Sequence, residues 1–203
     1  VEKTFFFDNP QFEQYQGYEQ ISIDCYVGER QSEYVQIADE GCPNLPWYSV
    51  SLLLPQNTES RDIEFEFSDF VELEGSHLLY PYQAPRPLSL KEDMPFVVNE
   101  NIYLSDDEYP TRYSSDVTTQ YLNGYSFAFS GFTPVRYIPS TGKLSYAQTV
   151  KVRVSCAASR NDKGKMLKTT DENKSRVQRL AHNPEMSEDY EQRGQRGIGG
   201  YEL

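Results

Sequence analysis

The chain has 203 residues, of which 37% are apolar, and its 31 Asp/Glu outweigh 19 Lys/Arg to give a net charge of −12. That length allows a domain of about 150 residues, which buries about 70% of its unfolded surface, and the acidic balance disfavours nucleic acid, whose phosphates select basic patches. No run of about 18 apolar residues is present to span a membrane as a helix, and no C-x-x-C pair suggests zinc or dithiol chemistry.

Sixteen Tyr and eleven Phe dominate the apolar set, a composition that favours strands. The charge is unevenly placed. Residues 1–157 carry ten Lys/Arg against 23 Asp/Glu, whereas residues 158–203 carry nine against eight. An acidic body followed by a dense, nearly neutral tail is predicted to divide as 1–157, 158–190 and 191–203.

In chain order, Phe5-Phe6-Phe7 closed by Asp8-Asn9-Pro10 reads as an edge strand. Ile21, Ile23, Cys25 and Val27 alternate with polar residues as one strand with Cys25 pointing inward, so a buried inert thiol is expected. Tyr34 to Ala38 is a further strand, Val50 to Leu54 another, and Ile63, Phe65 and Phe67 alternate with Glu64, Glu66 and Ser68 in the longest amphipathic strand. His77, beside Leu78 and Leu79, reads as structural. Tyr80 to Pro95 is a proline-rich crossover, Phe96 to Leu104 a strand pair, and Tyr109 to Tyr121 a polar loop. Ser105-Asp106-Asp107-Glu108 lacks the spacing and glycine of a calcium loop.

From Leu122 to Val154 three strand signals follow one another. Tyr125, Phe127 and Phe129 alternate with small residues, Val135 and Tyr137 form a short strand, and Val150, Val152 and Val154 alternate with Lys151 and Arg153. One face is apolar and one charged, the pattern of a sheet with a buried and a wet side. Beyond Cys156, residues 158 to 176 are too polar to bury a core and are expected to be mobile or held only by a partner. A weak helical pattern carries Val177, Leu180 and Ala181 and stops at Asn183-Pro184. The glycine-flanked Arg193 and Arg196 suit cleavage at basic residues, and Tyr201 to Leu203 looks like the start of a further strand. Of the three cysteines, Cys25 with Cys42 is the first pair to test for a disulfide.

Two stretches carry a family resemblance. Gly41-Cys42-Pro43-Asn44-Leu45-Pro46 before an apolar strand, and Pro134-Val-Arg-Tyr137-Ile-Pro139-Ser-Thr-Gly142-Lys-Leu before Val-Lys-Val-Arg-Val, resemble the propeptide domain that precedes gingipain-type (family C25) cysteine peptidases. On the residues alone, Gly41, Pro43, Leu45, Pro46, Pro134, Tyr137, Pro139 and Gly142 are structural, the first four forming a rigid plug over one end of a core. The resemblance implies an all-β antiparallel sandwich with a charged, partly disordered or helical C-terminal tail, no catalysis and no cofactor. It also implies a secreted or surface precursor exported through the periplasm with its leader already removed. The partner it implies is the cognate peptidase catalytic domain, kept latent until cleavage near Arg193 or Arg196.

In arginine-specific members of that family a propeptide loop fills the peptidase's primary pocket with a basic side chain. The equivalent stretch here includes Thr119, Gln120, Tyr121, Leu122 and Asn123 and holds no Lys or Arg. Arg112 could reach from upstream, the partner could have another specificity, or the domain could act chiefly as a folding chaperone. Two other readings stand beside the propeptide: a non-catalytic sandwich that binds through Tyr-rich loops, and a retained N-terminal domain of a C25-related surface-attachment enzyme.

Overall fold

This computed structural model describes residues 1–85, 95–159, 167–168 and 170–191. The chain opens with β1 (Glu2–Phe7), β2 (Gln11–Tyr15), β3 (Tyr18–Ser22), β4 (Cys25–Val27), β5 (Arg30–Ser32) and β6 (Tyr34–Gln36). It continues through β7 (Pro46–Leu53), β8 (Thr58–Glu72), the short helix α1 (Glu100–Tyr103), β9 (Thr118–Leu122), β10 (Tyr125–Phe132), β11 (Val135–Ile138), β12 (Lys143–Ala158) and α2 (Asp171–Leu180). A 3-10 turn, Pro184–Asp189, follows.

All strand pairs are antiparallel, and the two larger sheets face each other across one core. The first sheet runs β11-β12-β1-β4-β5, with β8 on the opposite edge of β12; the second runs β6-β7-β10-β9, and β2 and β3 form a separate hairpin. The 16-residue β12 is the spine of the first sheet. Its Leu144, Tyr146, Val150, Val152 and Val154 are buried while Arg153 is exposed, so the period-two pattern read from the sequence sets which face meets the core. On β12, Lys143–Tyr146 pair with β11 and Thr149–Arg153 with β1, so both short strands share one edge and β8 runs along the other.

Phe132, fully buried at the end of β10, holds the two sheets together. Its ring lies 5.1 Å from Phe5, 6.0 Å from Phe7, 6.1 Å from Tyr48, 5.4 Å from Phe65 and 6.2 Å from Phe67, contacting β1, β7 and β8 at once. Edge-to-face and tilted pairs of this kind add about 0.5–1.5 kcal/mol each beyond their buried area.

Several sequence expectations are corrected. Phe5-Phe6-Phe7 lies not at an edge but in a strand paired on both sides, by β12 and β4, because Phe5 and Phe7 both fill the core. The single strand expected over Ile21 to Val27 breaks at Ile23-Asp24 into β3 and β4, which belong to different sheets, although Ile21, Ile23, Cys25 and Val27 are all buried. Phe96 to Leu104 is not a strand pair. Asn99 caps a one-turn helix there by accepting from the Ile102 amide, and a local cap outcompetes a short apolar run. The Tyr109–Tyr121 loop ends early, since Thr118 already enters β9. Cys25 and Cys42 are both free thiols, as is Cys156. β12, at 16 residues, is longer than the 15-residue β8.

The Gly41 to Pro46 segment covers the core through Leu45, 1% exposed. Pro43 bridges to Pro81, and the Gly41 amide and carbonyl bond to Tyr82 and Asn99. In the other matched stretch, the Pro134 carbonyl accepts from Ala147, the buried Tyr137 donates to the His77 carbonyl at 2.7 Å, and Gly142 closes the turn after Pro139 at φ +68°. His77 stacks on Phe12 and sits 2.7 Å from a Glu19 carboxylate oxygen, fastening the β2–β3 hairpin to the body.

Residues 170–191 of the charged tail do not stay apart. Thr170 caps α2 by accepting from the Asn173 amide, and Asp171 and Glu172 in the first turn suit the helix dipole. At the other end Arg30, from β5, donates to the carbonyls of Gln178 and Ala181. Val177, Ala181 and Tyr190 then bury against Leu53, Tyr125 and Phe127 on the outer face of the second sheet. Thus residues 171 to 176, expected to be mobile or held by a partner, are helical because this chain supplies the apolar surface and the caps; residues 160–166 and 169 lie outside the described residues.

The tail also closes a strand edge. β6 pairs only with Pro46–Tyr48 of β7, which leaves Ser51–Leu53 unpaired on that side. His182 and Asn183 fill the gap: the His182 amide donates to the Ser51 carbonyl at 2.9 Å, and the Ser51 amide donates to His182 Nδ1 at 3.1 Å. The Asn183 side chain accepts from the Leu53 amide at 2.7 Å and donates back to its carbonyl at 2.9 Å. The His182 amide and ring and the Asn183 side chain stand in for a neighbouring strand.

Two outcomes follow from this packing. A Cβ on Gly142 would fall 2.7 Å from the His77 amide nitrogen and 2.8 Å from its carbonyl oxygen, at a left-handed φ. Gly142→Ala is expected to cost roughly 2–4 kcal/mol, from about 1–2 for the backbone conformation and the rest from the forced contact, read as a fall in the denaturation midpoint. The second concerns acid. Burial, then the charges of Arg30 on β5 and Lys3 on β1, push the His182 pKa from 6.5 down to about 4; Lys3 is itself paired with Glu185 of the 3-10 turn at 2.6 Å. The neutral ring is the form that accepts from Ser51. Because the unfolded chain takes up the proton first, this stability is complete above about pH 6.5 and falls as pH drops towards 4, by about 3 kcal/mol at 1.36 kcal/mol per pKa unit. His182→Asn keeps an acceptor and has no proton to gain, so its stability between pH 6.5 and 5 should be flatter than that of the wild type; an unchanged slope would refute the assignment.

Candidate inhibitory interface

The stretch singled out in the sequence lies on a hairpin. β9 is the edge strand of the second sheet and pairs with β10 through Leu122↔Tyr125, Tyr121↔Ser126 and Thr119↔Ala128. The turn between them is Asn123-Gly124, with φ +53° and +86°. Asn-Gly between strands is the signature of a two-residue turn whose twist matches the flanking strands, and it was the signal that marks Thr118–Leu122 as a strand and not a loop.

Alternation along β9 gives its side chains different duties. Thr119 and Tyr121 turn towards β8 and bolt the edges of the two sheets together. The Ser60 amide donates to Thr119 Oγ1 at 2.8 Å, and the Tyr121 hydroxyl donates to a Glu59 carboxylate oxygen at 2.9 Å, where Ser159 also donates. Hydrogen bonds from Ser159 and then Tyr121 lower the Glu59 pKa, while burial raises that of Tyr121. Leu122 packs beneath the tail with Tyr125 and Val177. The Asn123 side-chain amide donates to Asn173 at 3.0 Å, and its carbonyl accepts from the Lys168 amide at 3.0 Å. Of the five residues from Thr119 to Asn123, Gln120 is the exposed one.

Arg112 lies on the loop that feeds β9. Its side chain is 70% exposed and pairs at 2.8 Å with Asp116, 86% exposed, a surface pair worth at most about 1 kcal/mol. The loop beneath is anchored: Tyr109 exchanges backbone hydrogen bonds with Tyr137, and the Thr133 amide donates to the Tyr113 carbonyl. Ser115 bonds to Gly131 through both its amide and its hydroxyl. Tyr113 donates to Glu108 at 2.8 Å, and burial first, then that contact, pushes its pKa up to about 12. Between this loop and β8 runs a groove of about 300 Å³ whose lining includes Arg112, Asp116, Arg61 and Asp62. The structure therefore presents Arg112 and Gln120 outward and commits Thr119, Tyr121, Leu122 and Asn123 to holding the hairpin in place. Arg193 and Arg196 lie outside the described residues.

Burial raises the pKa of the Cys25 and Cys42 thiols, opposite to what a nucleophile needs. His77 bonds to Glu19 and His182 to Ser51, and neither is hydrogen-bonded to a cysteine. Among the described residues no group of three His, Cys, Asp or Glu could hold a metal ion, and no helix is long and apolar enough to cross a membrane.

The fold is similar to solved structures of Porphyromonas gingivalis proteins. One, a complex of RgpB pro- and mature domains, matches with a TM-score of 0.64 at 21% identity, covering 91% of this chain and 92% of that one. Another, from a study of the zymogenic latency of gingipain K, matches with a TM-score of 0.54 at 18% identity, covering 77% and 87%. No curated protein sequence matches the chain. The Propeptide_C25 family model matches residues 4–184, which takes in both sheets, the hairpin and α2, and the chain therefore belongs to the C25 propeptide family.

Proposed function

We propose that this propeptide keeps a gingipain-like cysteine peptidase latent, and assists its folding, until it is removed by cleavage near Arg193 or Arg196. The observation that carries the reading is the pair of outward side chains, Arg112 and Gln120, displayed by an anchored loop and an edge hairpin in a member of a peptidase-propeptide family. The domain is held in one shape before it meets its partner, so little ordering cost falls on docking.

Arg112 is the pocket-filling side chain in this reading. Its guanidinium exchanges the weak Asp116 pair for a carboxylate in the peptidase's primary pocket, where desolvation makes a charge-assisted bidentate contact stronger. Gln120, on the wet face of β9, lies against the rim of the cleft. Residues 191–203 form the linker to the peptidase domain, and the precursor is secreted or surface-bound.

The test is titration of the 203-residue chain into the mature peptidase of the same precursor. Stoichiometric loss of activity at or below micromolar concentration is expected, and unchanged activity would end the latency reading. A central anchor typically costs more than 2 kcal/mol when truncated, about 30-fold in affinity. Arg112→Ala should therefore raise the inhibition constant by that order with the denaturation midpoint unmoved. An unaffected constant would remove Arg112 from the pocket.

A further inference from the structure

Just before Arg193 and Arg196, Tyr190 and Glu191 are fastened to the body of the domain. Glu191 is bracketed by one side chain: Gln56 donates to its carbonyl at 2.8 Å and accepts from its amide at 3.3 Å. The residue before it, Tyr190, is 6% exposed. Its hydroxyl donates to the Leu54 carbonyl at 2.6 Å, accepts from the Ser126 amide at 3.2 Å and lies 3.0 Å from Ser126 Oγ. Its ring sits 4.6 Å from that of Tyr125.

Tyr125 and Ser126 are the two residues of β10 that face Leu122 and Tyr121 across the hairpin. Tyr190 thus stands behind the first two rungs of the strand that carries Gln120, while Lys168 and Asn173 hold the turn itself. β9 is paired with only one strand and is five residues long. β10 is backed by β7, and Thr119 and Tyr121 tie β9 to β8, but at the turn end the outer face of the hairpin is packed by the tail.

We propose that Tyr190 is a positioning residue of the inhibitory hairpin, so that the strength of inhibition depends on whether the tail before the processing site is seated. The inference rests on the latency reading and adds its regulation: the segment joining propeptide to peptidase is the one that stiffens the element facing the cleft. A seated tail presents the hairpin preformed, and an unseated one makes docking bear the ordering cost.

The experiment compares the full chain with Tyr190→Ala, which removes both ring and hydroxyl, and Tyr190→Phe, which keeps the ring. The readouts are the inhibition constant against the mature peptidase and amide hydrogen exchange at Leu122–Ser126 and at Val150–Val154. For Tyr190→Ala, a constant raised at least tenfold is expected, with faster exchange at Leu122–Ser126 and unchanged exchange at Val150–Val154; Tyr190→Phe should recover part of both effects. The inference is overturned by an unchanged constant despite a loosened hairpin, by an unloosened hairpin, or by loosening of both segments together, which would mark Tyr190 as merely structural. If the wild-type chain fails to inhibit, the latency reading falls, and exchange at Leu122–Ser126 alone still decides whether Tyr190 seats the hairpin.

Discussion

The rest of the molecule depends on the aromatic junction at Phe132. A sandwich is stable only if the inner faces of both sheets exclude water together, and Phe132 is where β10 meets rings from β1, β7 and β8. Because that contact fixes how the sheets lie, it also fixes where their edges come together. Thr119 and Tyr121 can reach Ser60 and Glu59 only with β9 and β8 held side by side at one corner of the sandwich. The outward pose of Gln120 is in this sense a consequence of core packing some distance away.

The second organising feature is the use of side chains as surrogate backbone. The side chain of Asn183 pairs with both main-chain groups of Leu53 and that of Gln56 with both of Glu191, while His182 meets Ser51 with its ring nitrogen and its own amide. An open strand edge invites pairing with another chain, and these contacts close one edge while fastening the tail. They also make the attachment sensitive to acid at one point, His182, whose ring accepts a hydrogen bond only when neutral. The separate Glu2, Glu59 and Glu185 carboxylates, all with pKa lowered from 4.5, begin to lose their contribution as pH falls to about 4.5, at the acid end of the histidine's window, and go on losing it below.

Much was legible in the chain itself. The alternation of Val150, Val152 and Val154 with Lys151 and Arg153 set the orientation of β12, and that of Ile63, Phe65 and Phe67 set β8, since a strand with one buried face tolerates a single register. The matched motifs around Gly41–Pro46 and Pro134–Leu144 pointed to the family, and both Gly41 and Gly142 take positive φ with another segment too close to admit a Cβ. The hairpin at Asn123-Gly124 was missed although the dipeptide is a turn signal; polar Thr118 to Gln120 concealed it because an edge strand has no apolar requirement on its wet face.

What only the tertiary structure decided is where each segment finds its partner. Periodicity states that Phe5 and Phe7 face a core, but pairing on both sides of β1 joins nearby β4 on one side to β12, more than a hundred residues away, on the other. Composition states that residues 158 to 190 are charged, yet Val177, Ala181 and Tyr190 suffice to seat residues 170–190 because Leu53, Tyr125 and Phe127 offer them an apolar face on the outside of a sheet. The same holds for the candidate interface. A sequence names residue types and their local periods, but the direction in which Arg112 points, and the duties of Thr119 and Tyr121 in joining two sheets, arise from long-range contacts that no local pattern encodes.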